Sequence, residues 1–205
     1  MAVLYSFRRC PYAMRARMAL HVSGIEYEHR ELLLRDKPAS MIAASPKGTV
    51  PVFIKDDGVV IDESLDLALW ALEQNDPSGW MNGYEPDLVT QNDGPFKHHL
   101  DRYKYASRYD DDAPRGAVDL THRGQAEVIL SKLNQRLEAN SYLSGKRQNF
   151  TDIAIFPFIR QFAAVQREWW QSTPYAALRA WLEIQLESDL FKAIMVKHPL
   201  WEEIV

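Results

Sequence analysis

The spacing of apolar residues changes near residue 76 of this 205-residue chain. Before that point, short apolar runs typical of buried strands alternate with segments whose apolar residues recur every three or four positions, as on one face of a helix. After it, only the helical spacing is found. This pattern predicts a small α/β unit followed by an all-helical unit.

The elements predicted in the first part follow the order strand, helix, strand, short helical turn, two strands and helix. A proline at position 11 suits a first helical turn, and Gly24 marks the end of the same helix. A turn signal of two aspartates and a glycine separates the last two strands. The predicted segments are residues 2–6, 10–24, 26–34, 41–44, 50–54, 59–61 and 65–72.

Glycines and prolines are concentrated between Asp76 and Pro86, so this stretch is predicted to be a linker. We therefore expect residues 1–76 to form the first domain and residues 87–205 the second, joined by residues 77–86. The helices predicted in the second part cover residues 86–109, 115–140, 150–167, 174–187 and, as a short segment, 188–196.

Composition narrows the class of protein. Apolar residues make up 46% of the chain and charged residues 25%, which is typical of a globular protein. A net charge of −4 gives no basic surface for nucleic acid. No apolar run is long enough to span a membrane, and the first residues lack a secretory signal layout. We therefore expect a cytoplasmic protein with neither a nucleic acid nor a membrane as partner.

The most informative segment for chemistry runs from Arg8 to Ala13. Cys10 stands between a predicted strand and a predicted helix, where unpaired backbone N–H groups and the helix dipole favour a thiolate over a thiol. Two preceding arginines add positive charge. A small buried side chain at a helix end is the alternative interpretation of this cysteine. The local sequence favours the reactive thiol.

The chain has no second cysteine, and alanine occupies position 13. A two-cysteine redox motif resolves its own mixed disulfide, whereas a single cysteine cannot. An external thiol must therefore complete any disulfide exchange at Cys10. The sequence thus indicates a small thiol as co-substrate. A single cysteine also fits a reducing compartment.

Two further segments carry candidate binding groups. A cis Val50-Pro51 bond would present the backbone of Val50 to an extended peptide, and a trans proline at a strand start is the alternative. Farther along, Ser64 and the backbone N–H groups beside it could hold a carboxylate. Asp62 or Ser64 could instead cap the helix that follows. The residues themselves leave both choices open.

A Cys-Pro-Tyr-Ala helix start, a Thr-Val-Pro-Val turn and a Glu-Ser pair, in this order and spacing, resemble the glutathione transferases. The cysteine makes the chain similar to the omega-like, beta-like and two-domain glutaredoxin branches rather than to the tyrosine or serine classes. The likeness covers essentially the whole chain. It implies a thioredoxin-like α/β N-terminal domain, an all-α C-terminal domain and a homodimer.

The resemblance also implies roles for particular residues, with glutathione as the co-substrate and no metal. Cys10 would form a mixed disulfide with glutathione. The residues implied for binding glutathione, from its glycyl to its γ-glutamyl end, are Lys37, Val50, Pro51, Glu63 and Ser64. Separately, Arg102 and Tyr103, on the first long helix predicted in the second part, are expected to contact the second substrate together with Tyr12.

Other polar groups are interpreted as structural. Asn149 resembles the family's helix-capping residue, with Asp152 returning a bond from the first turn. Adjacent side chains on a helix point to different faces, so His98 and His99 are expected to make a poor metal pair.

The Arg15 and Arg17 pair is expected at the surface or in a dimer contact.

Two functional classes follow from these observations. The first is an enzyme that transfers thiols or reduces disulfides, glutathione adducts or dehydroascorbate-like compounds. The second is a non-catalytic interaction protein, similar to the stringent-starvation regulators that bind RNA polymerase and are expected to lack the active cysteine. The retained cysteine, Val-Pro turn and Glu-Ser pair favour the enzyme.

Overall fold

A computed structural model describes residues 1–203 of the chain. Contacts divide them into two compact units. The first comprises Met1–Gly79 together with the described residues from Glu187 onward, and the second comprises Trp80–Leu186. Within the described residues, no helix combines the length and the apolar character that crossing a membrane requires.

The first unit contains a four-stranded mixed sheet in the order β2-β1-β3-β4. Strand β1 is parallel to β2 and antiparallel to β3, and β3 and β4 form an antiparallel hairpin. The predicted thioredoxin-like fold is therefore confirmed. Its elements are β1 (Val3–Ser6), α1 (Pro11–Val22), β2 (Glu28–Glu31), α2 (Ala39–Ala44), β3 (Val52–Ile54), β4 (Val60–Ile61) and α3 (Ser64–Gln74).

Strand β2 is shorter than the predicted segment 26–34. The chain reverses direction soon after it, since Leu33 and Asp36 form an isolated antiparallel bridge. Leu32 still reaches the core, with 3% of its surface exposed, whereas Leu34 is exposed. Turn formation therefore ends the strand before the apolar run ends.

The second unit is helical, as predicted, but its first helix is interrupted. Residues Asn92–Phe96 form a π-helical turn that includes Pro95. Proline lacks an N–H group and clashes with the preceding turn, which accounts for the altered hydrogen bonding. The helices are α4 (Pro86–Gln91), α5 (Lys97–Lys104), α6 (Leu120–Ala139), α7 (Phe150–Ala163), α8 (Arg167–Ser172) and α9 (Ala176–Glu187), with a 3₁₀ turn at Ala106–Arg108.

The start of α7 confirms the predicted capping box. Asn149 accepts a hydrogen bond from the Thr151 N–H at 2.9 Å, and Asp152 returns one by accepting from the Asn149 N–H at 3.1 Å. The buried Asp152 carboxylate also accepts from the Leu143 N–H and from the Trp181 indole N–H. Burial raises the pKa of Asp152, and these three donors oppose that effect. One carboxylate thus joins three segments of the helical unit.

We expect Asp152→Asn to lower the free energy of unfolding by about 3 kcal/mol. An amide places an NH₂ donor where the carboxylate accepts from N–H groups, so at least one buried donor loses its acceptor. Chemical denaturation measures the change. Asp189→Asn, at a fully exposed first-turn position, is the matched control. Equal midpoints for the two variants would contradict the proposed role.

The last described segment belongs to the first unit. It contains α10 (Asp189–Ile194), and the Trp201 N–H donates to the Glu31 carbonyl of β2 at 2.8 Å. The Glu203 carboxylate accepts from the first N–H groups of α2, an arrangement favoured by the helix dipole. The predicted second domain, 87–205, included this segment. Apolar spacing identified its helix but carries no information about the unit on which that helix packs.

A histidine pair makes the attachment of this segment sensitive to pH. The rings of His198 and His29 stack with centroids 4.0 Å apart. Burial and then His29 lower the pKa of His198, Arg17 lowers it further, and Glu31 opposes the shift. The unfolded histidine gains its proton near pH 6.5, whereas the folded one remains neutral to lower pH. Stability therefore decreases as the pH falls below about 6.5.

We expect amide hydrogen exchange around Trp201, corrected for intrinsic rates, to accelerate between about pH 7.5 and pH 5.5. His198→Phe keeps an aromatic ring but cannot gain a proton, so much of the pH dependence should disappear. His21→Gln changes an exposed histidine of the same unit and serves as the control. The same pH response in His198→Phe as in the parent would refute this account.

Candidate active site

Cys10 occupies the N-cap position of α1, directly after the loop that follows β1. Its backbone is extended, and Pro11 is the first helical residue, as predicted. The Cys10 N–H donates to the Phe7 carbonyl at 3.0 Å, which fixes the turn into the helix. The thiol is partly exposed and lies at the end of the helix where the dipole is positive.

The thiol faces the segment that contains the proline. The Val50-Pro51 bond is cis, and the Sγ of Cys10 lies 3.7 Å from the carbonyl oxygen of buried Val50. Cys10 and Val50 are 40 residues apart in the sequence, so their two motifs meet only through the fold. The structure thus brings Cys10, Val50 and Pro51 together.

Lys37 approaches the same segment from the loop before α2. Gly48 has a φ of +61°, and a Cβ placed on it would lie 3.5 Å from the Lys37 ammonium nitrogen. A side chain at position 48 would strain the backbone and press on Ile42, whose Cδ1 atom would lie 3.2 Å from that Cβ, whereas the distance to Lys37 is that of ordinary contact. Lys37 itself is exposed.

Arg17 is buried, with 2% of its surface exposed, which corrects the expectation of a surface position. Its guanidinium donates to the Ser6 hydroxyl at 2.6 Å and to the Arg8 carbonyl at 2.8 Å. Burial lowers the pKa of Arg17, while the negative charges of Glu31 and of an ionised Cys10 act in the opposite direction. Electrostatic coupling is reciprocal, so the guanidinium favours a thiolate at Cys10.

Arg15 is also buried, and this likewise differs from the expectation. It donates to the Ser64 hydroxyl at 2.8 Å and lies over the Tyr12 ring, 5.6 Å from its centroid. Ser64 is the first residue of α3, and the N-cap residue, Glu63, makes no side-chain capping bond. Neither Ser64 nor Asp62 is thus the N-cap residue. Instead, a hydroxyl, a buried guanidinium and a helix N-terminus converge, which suits a carboxylate ligand.

Glu63 is exposed and forms an ion pair with Lys47, which also contacts Asp62 at 3.3 Å. Asp62 in turn accepts from the Ser45 hydroxyl at 2.6 Å. Hydrogen bonds from these partners lower the pKa of Asp62, the largest effect coming from Ser45. Lys47 and Arg15 contact the predicted binding residues Glu63 and Ser64. The sequence analysis assigned neither of them to the site, because neither belongs to a recognisable motif.

The residues predicted for the second substrate have different environments. Tyr103 is fully buried in the helical unit, where its hydroxyl donates to Gln166 at 2.9 Å. Burial raises its pKa to about 12. This is a core position, so the predicted contact of Tyr103 with a substrate is corrected. Arg102 donates to His98 and stacks on Tyr109.

The prediction that His98 and His99 diverge is also wrong. Their ring centroids are 5.0 Å apart, and both rings lie beside His122 of α6. The third histidine comes close only through the packing of α5 on α6. The sequence positions of His98 and His99 gave no indication that His122 would lie beside them.

We expect Arg17→Gln to slow alkylation of Cys10 by iodoacetamide severalfold at neutral pH, because the thiolate loses a stabilising charge. The variant should also lose about 3 kcal/mol of stability, since buried carbonyl and hydroxyl acceptors lose their donors. The alkylation rate is therefore measured where circular dichroism shows a folded chain. Exposed Arg35 provides the matched control, Arg35→Gln. An unchanged rate in folded Arg17→Gln would rule out the electrostatic role.

These features define a class: a thioredoxin-like domain with a cysteine at the start of its first helix, followed along the chain by a helical domain. Two family models agree with this description. The glutathione S-transferase N-terminal domain matches residues 4–80, and the glutathione S-transferase C-terminal domain matches residues 97–183. The chain belongs to the glutathione S-transferase family.

Several curated proteins are similar to this chain. A glutathione S-transferase of Emericella nidulans is 22% identical over 221 residues, which cover 98% of this chain and 77% of that protein. Glutathione S-transferase omega-1 of Mus musculus is 37% identical over 62 residues, or 30% of this chain and 26% of that protein. Elongation factor 1-gamma of Schizosaccharomyces pombe is 24% identical over 150 residues, or 68% and 35% of the two chains. The chain thus spans only a minor part of the last two proteins.

Solved structures show the same fold. A glutathione S-transferase from Rhodospirillum rubrum superimposes with a TM-score of 0.75 at 20% identity, covering 97% of this chain and 94% of that one. A glutathione S-transferase-I bound with lactoylglutathione gives a TM-score of 0.69 at 18% identity, covering 95% and 98%. At these identities the likeness concerns the fold.

Proposed function

We propose that this chain is a glutathione-dependent thiol transferase that acts through the Cys10 thiolate. The observation that carries the proposal is the position of the thiol, at the N-terminus of α1 and 3.7 Å from the Val50 carbonyl beside Pro51. The dipole of α1 and the positive charge of buried Arg17 both favour the ionised sulfur of Cys10, which is the nucleophile in disulfide exchange.

The proposed cycle has two exchange steps. The Cys10 thiolate attacks the glutathione sulfur of a glutathionylated substrate, forming a Cys10–glutathione disulfide and releasing the substrate as a thiolate. A second glutathione, as its thiolate, then attacks the glutathione sulfur of that disulfide. Glutathione disulfide leaves, and the Cys10 thiolate is regenerated. The external thiol is required because the chain has no second cysteine.

Glutathione would lie along the residues that the family resemblance implies. Its cysteinyl part would pair with the backbone of Val50, and its glycyl carboxylate would approach Lys37. The γ-glutamyl carboxylate would accept from the Ser64 hydroxyl and from backbone N–H groups at the start of α3. The buried Arg15 guanidinium, 2.8 Å from that hydroxyl, supports this end of the site with positive charge. Glu63 would take the γ-glutamyl ammonium group in place of Lys47.

Incubation with glutathione disulfide tests the chemistry. The native protein should gain the mass of one glutathione per chain, and a subsequent excess of glutathione should remove it. The reaction should be faster than with the same chain unfolded in urea, because the unfolded thiol lacks the helix and the guanidinium. Intact mass spectrometry follows both steps. Cys10→Ser controls for non-covalent retention and should show no added mass.

A native rate equal to or below that of the unfolded chain would refute the thiolate mechanism. Ser64→Ala tests the binding site separately, because it leaves the thiol in place. Loss of a hydrogen bond to a charged group should weaken glutathione binding by about tenfold or more in calorimetry.

An interaction protein of the same fold is the second candidate. The match to elongation factor 1-gamma over 68% of this chain favours it, since that protein is not named as a transferase. Such a protein should bind glutathione weakly or not at all and should show no enhanced Cys10 reactivity. The mass-adduct experiment therefore distinguishes the two classes.

We also propose that the protein acts in the cytoplasm as a homodimer, following the family resemblance. Reducing conditions there would keep Cys10 as a thiol. Light scattering after size-exclusion chromatography measures the oligomeric state.

A further inference from the structure

Three histidines of the helical unit form a compact cluster outside the residues assigned to glutathione chemistry. His98 and His99 lie on α5, and His122 lies in the first turn of α6. One ring nitrogen of each lies within 4.8 Å of the others. The Nδ1 atoms of His99 and His122 are 2.8 Å apart, so one ring donates a hydrogen bond to the other.

The backbone around the cluster is well fixed. Asp119 caps α6 by accepting from the N–H groups of Thr121 and His122. The Asp119 N–H in turn donates to the Tyr103 carbonyl near the end of α5 at 3.1 Å. The three imidazoles are therefore presented by two helices whose relative position is set within one unit. Such preorganisation reduces the entropy lost when a ligand is bound.

The spacing is close to that of a transition-metal site. Zinc binds histidine nitrogens at about 2.0–2.1 Å, so two nitrogens on one tetrahedral ion lie about 3.3–3.4 Å apart. The His99–His122 separation of 2.8 Å would need to widen by about 0.5 Å, and a bound cation would replace the shared proton. His98 is exposed, so its ring can rotate towards the same point.

The charges around the histidine cluster include one that favours a bound cation and one that opposes it. Asp101 favours a cation, because its negative charge acts on His98. Arg102 opposes a cation, because it donates to the Nδ1 of His98 at 3.0 Å. A cation bound at that nitrogen would displace the guanidinium towards Tyr109, on which it already stacks.

We propose that His98, His99 and His122 form a binding site for one zinc-like divalent transition-metal ion. Imidazole nitrogen is a donor suited to Zn²⁺, Cu²⁺ and Ni²⁺. Three histidines leave one position of a tetrahedral ion open, which water would fill.

Zinc titration of the untagged protein, without glutathione and with Cys10→Ser to remove the thiol as a ligand, tests the site. Calorimetry should show one Zn²⁺ per chain. Replacing Zn²⁺ by Co²⁺ should give the visible absorption of a low-symmetry nitrogen site. His98→Gln should lower the affinity by at least about tenfold, the lower end of what removing even a supporting group costs a metal site. His98→Gln is the first variant to test, because replacing an exposed side chain should leave the fold intact.

His122→Gln, checked for folding by circular dichroism, should cause a similar loss. His21→Gln removes an exposed histidine of the other unit and should leave the zinc affinity unchanged. Binding of one ion with these responses supports the site. Absence of binding, or equal affinity in the parent, His98→Gln and His122→Gln, would overturn it. Neither result depends on the thiol chemistry of Cys10.

Discussion

The buried guanidinium of Arg17 is the interaction on which the first unit depends most. A buried charge is costly unless its hydrogen bonds are satisfied. Arg17 donates to Ser6 at the end of β1, to Arg8 in the loop before Cys10, and to the Ile194 carbonyl of the last segment. Any displacement of these groups would leave the guanidinium without acceptors. The position of the thiol is therefore tied to the packing of the C-terminal segment.

The fold was predictable where the sequence is periodic, and less so where local chemistry overrides the period. Helix α1 and the order of elements along the first unit follow from apolar spacing and from the turn at residues 56–58. The predicted helix 86–109 is interrupted because Pro95 cannot sustain the regular ladder. Residues 188–196 were correctly read as helical, but a periodic pattern identifies an apolar face and not the partner on which that face packs.

The residues around the candidate site likewise include some that the sequence predicts and some that it does not. Cys10 and Val50 were identified by motifs, because strand-to-helix and loop-to-strand boundaries can be read from local residue types. Arg15 and Arg17 were missed, since arginines are usually exposed and their burial depends on acceptors distant in sequence. In the structure every residue of α1 from position 13 to position 20 is buried, so this helix is packed on all sides. A helix packed in this way leaves its arginines little access to water.

The environment of Ser64 bears on which ligands the first unit would select. A hydroxyl that accepts from a guanidinium retains its own proton for donation to a second partner. At the start of α3 that partner would also meet backbone N–H groups and the positive end of the helix dipole. An anionic group gains from all three, whereas a neutral amide gains mainly from the hydrogen bonds. For the proposed thiol transferase, this difference favours a ligand with a carboxylate at one end. Its sulfur atom would reach Cys10 while the carboxylate is bound at the start of α3. Selectivity for the ligand would then come from the carboxylate-binding groups at the start of α3, and reactivity from the Cys10 thiol at the start of α1.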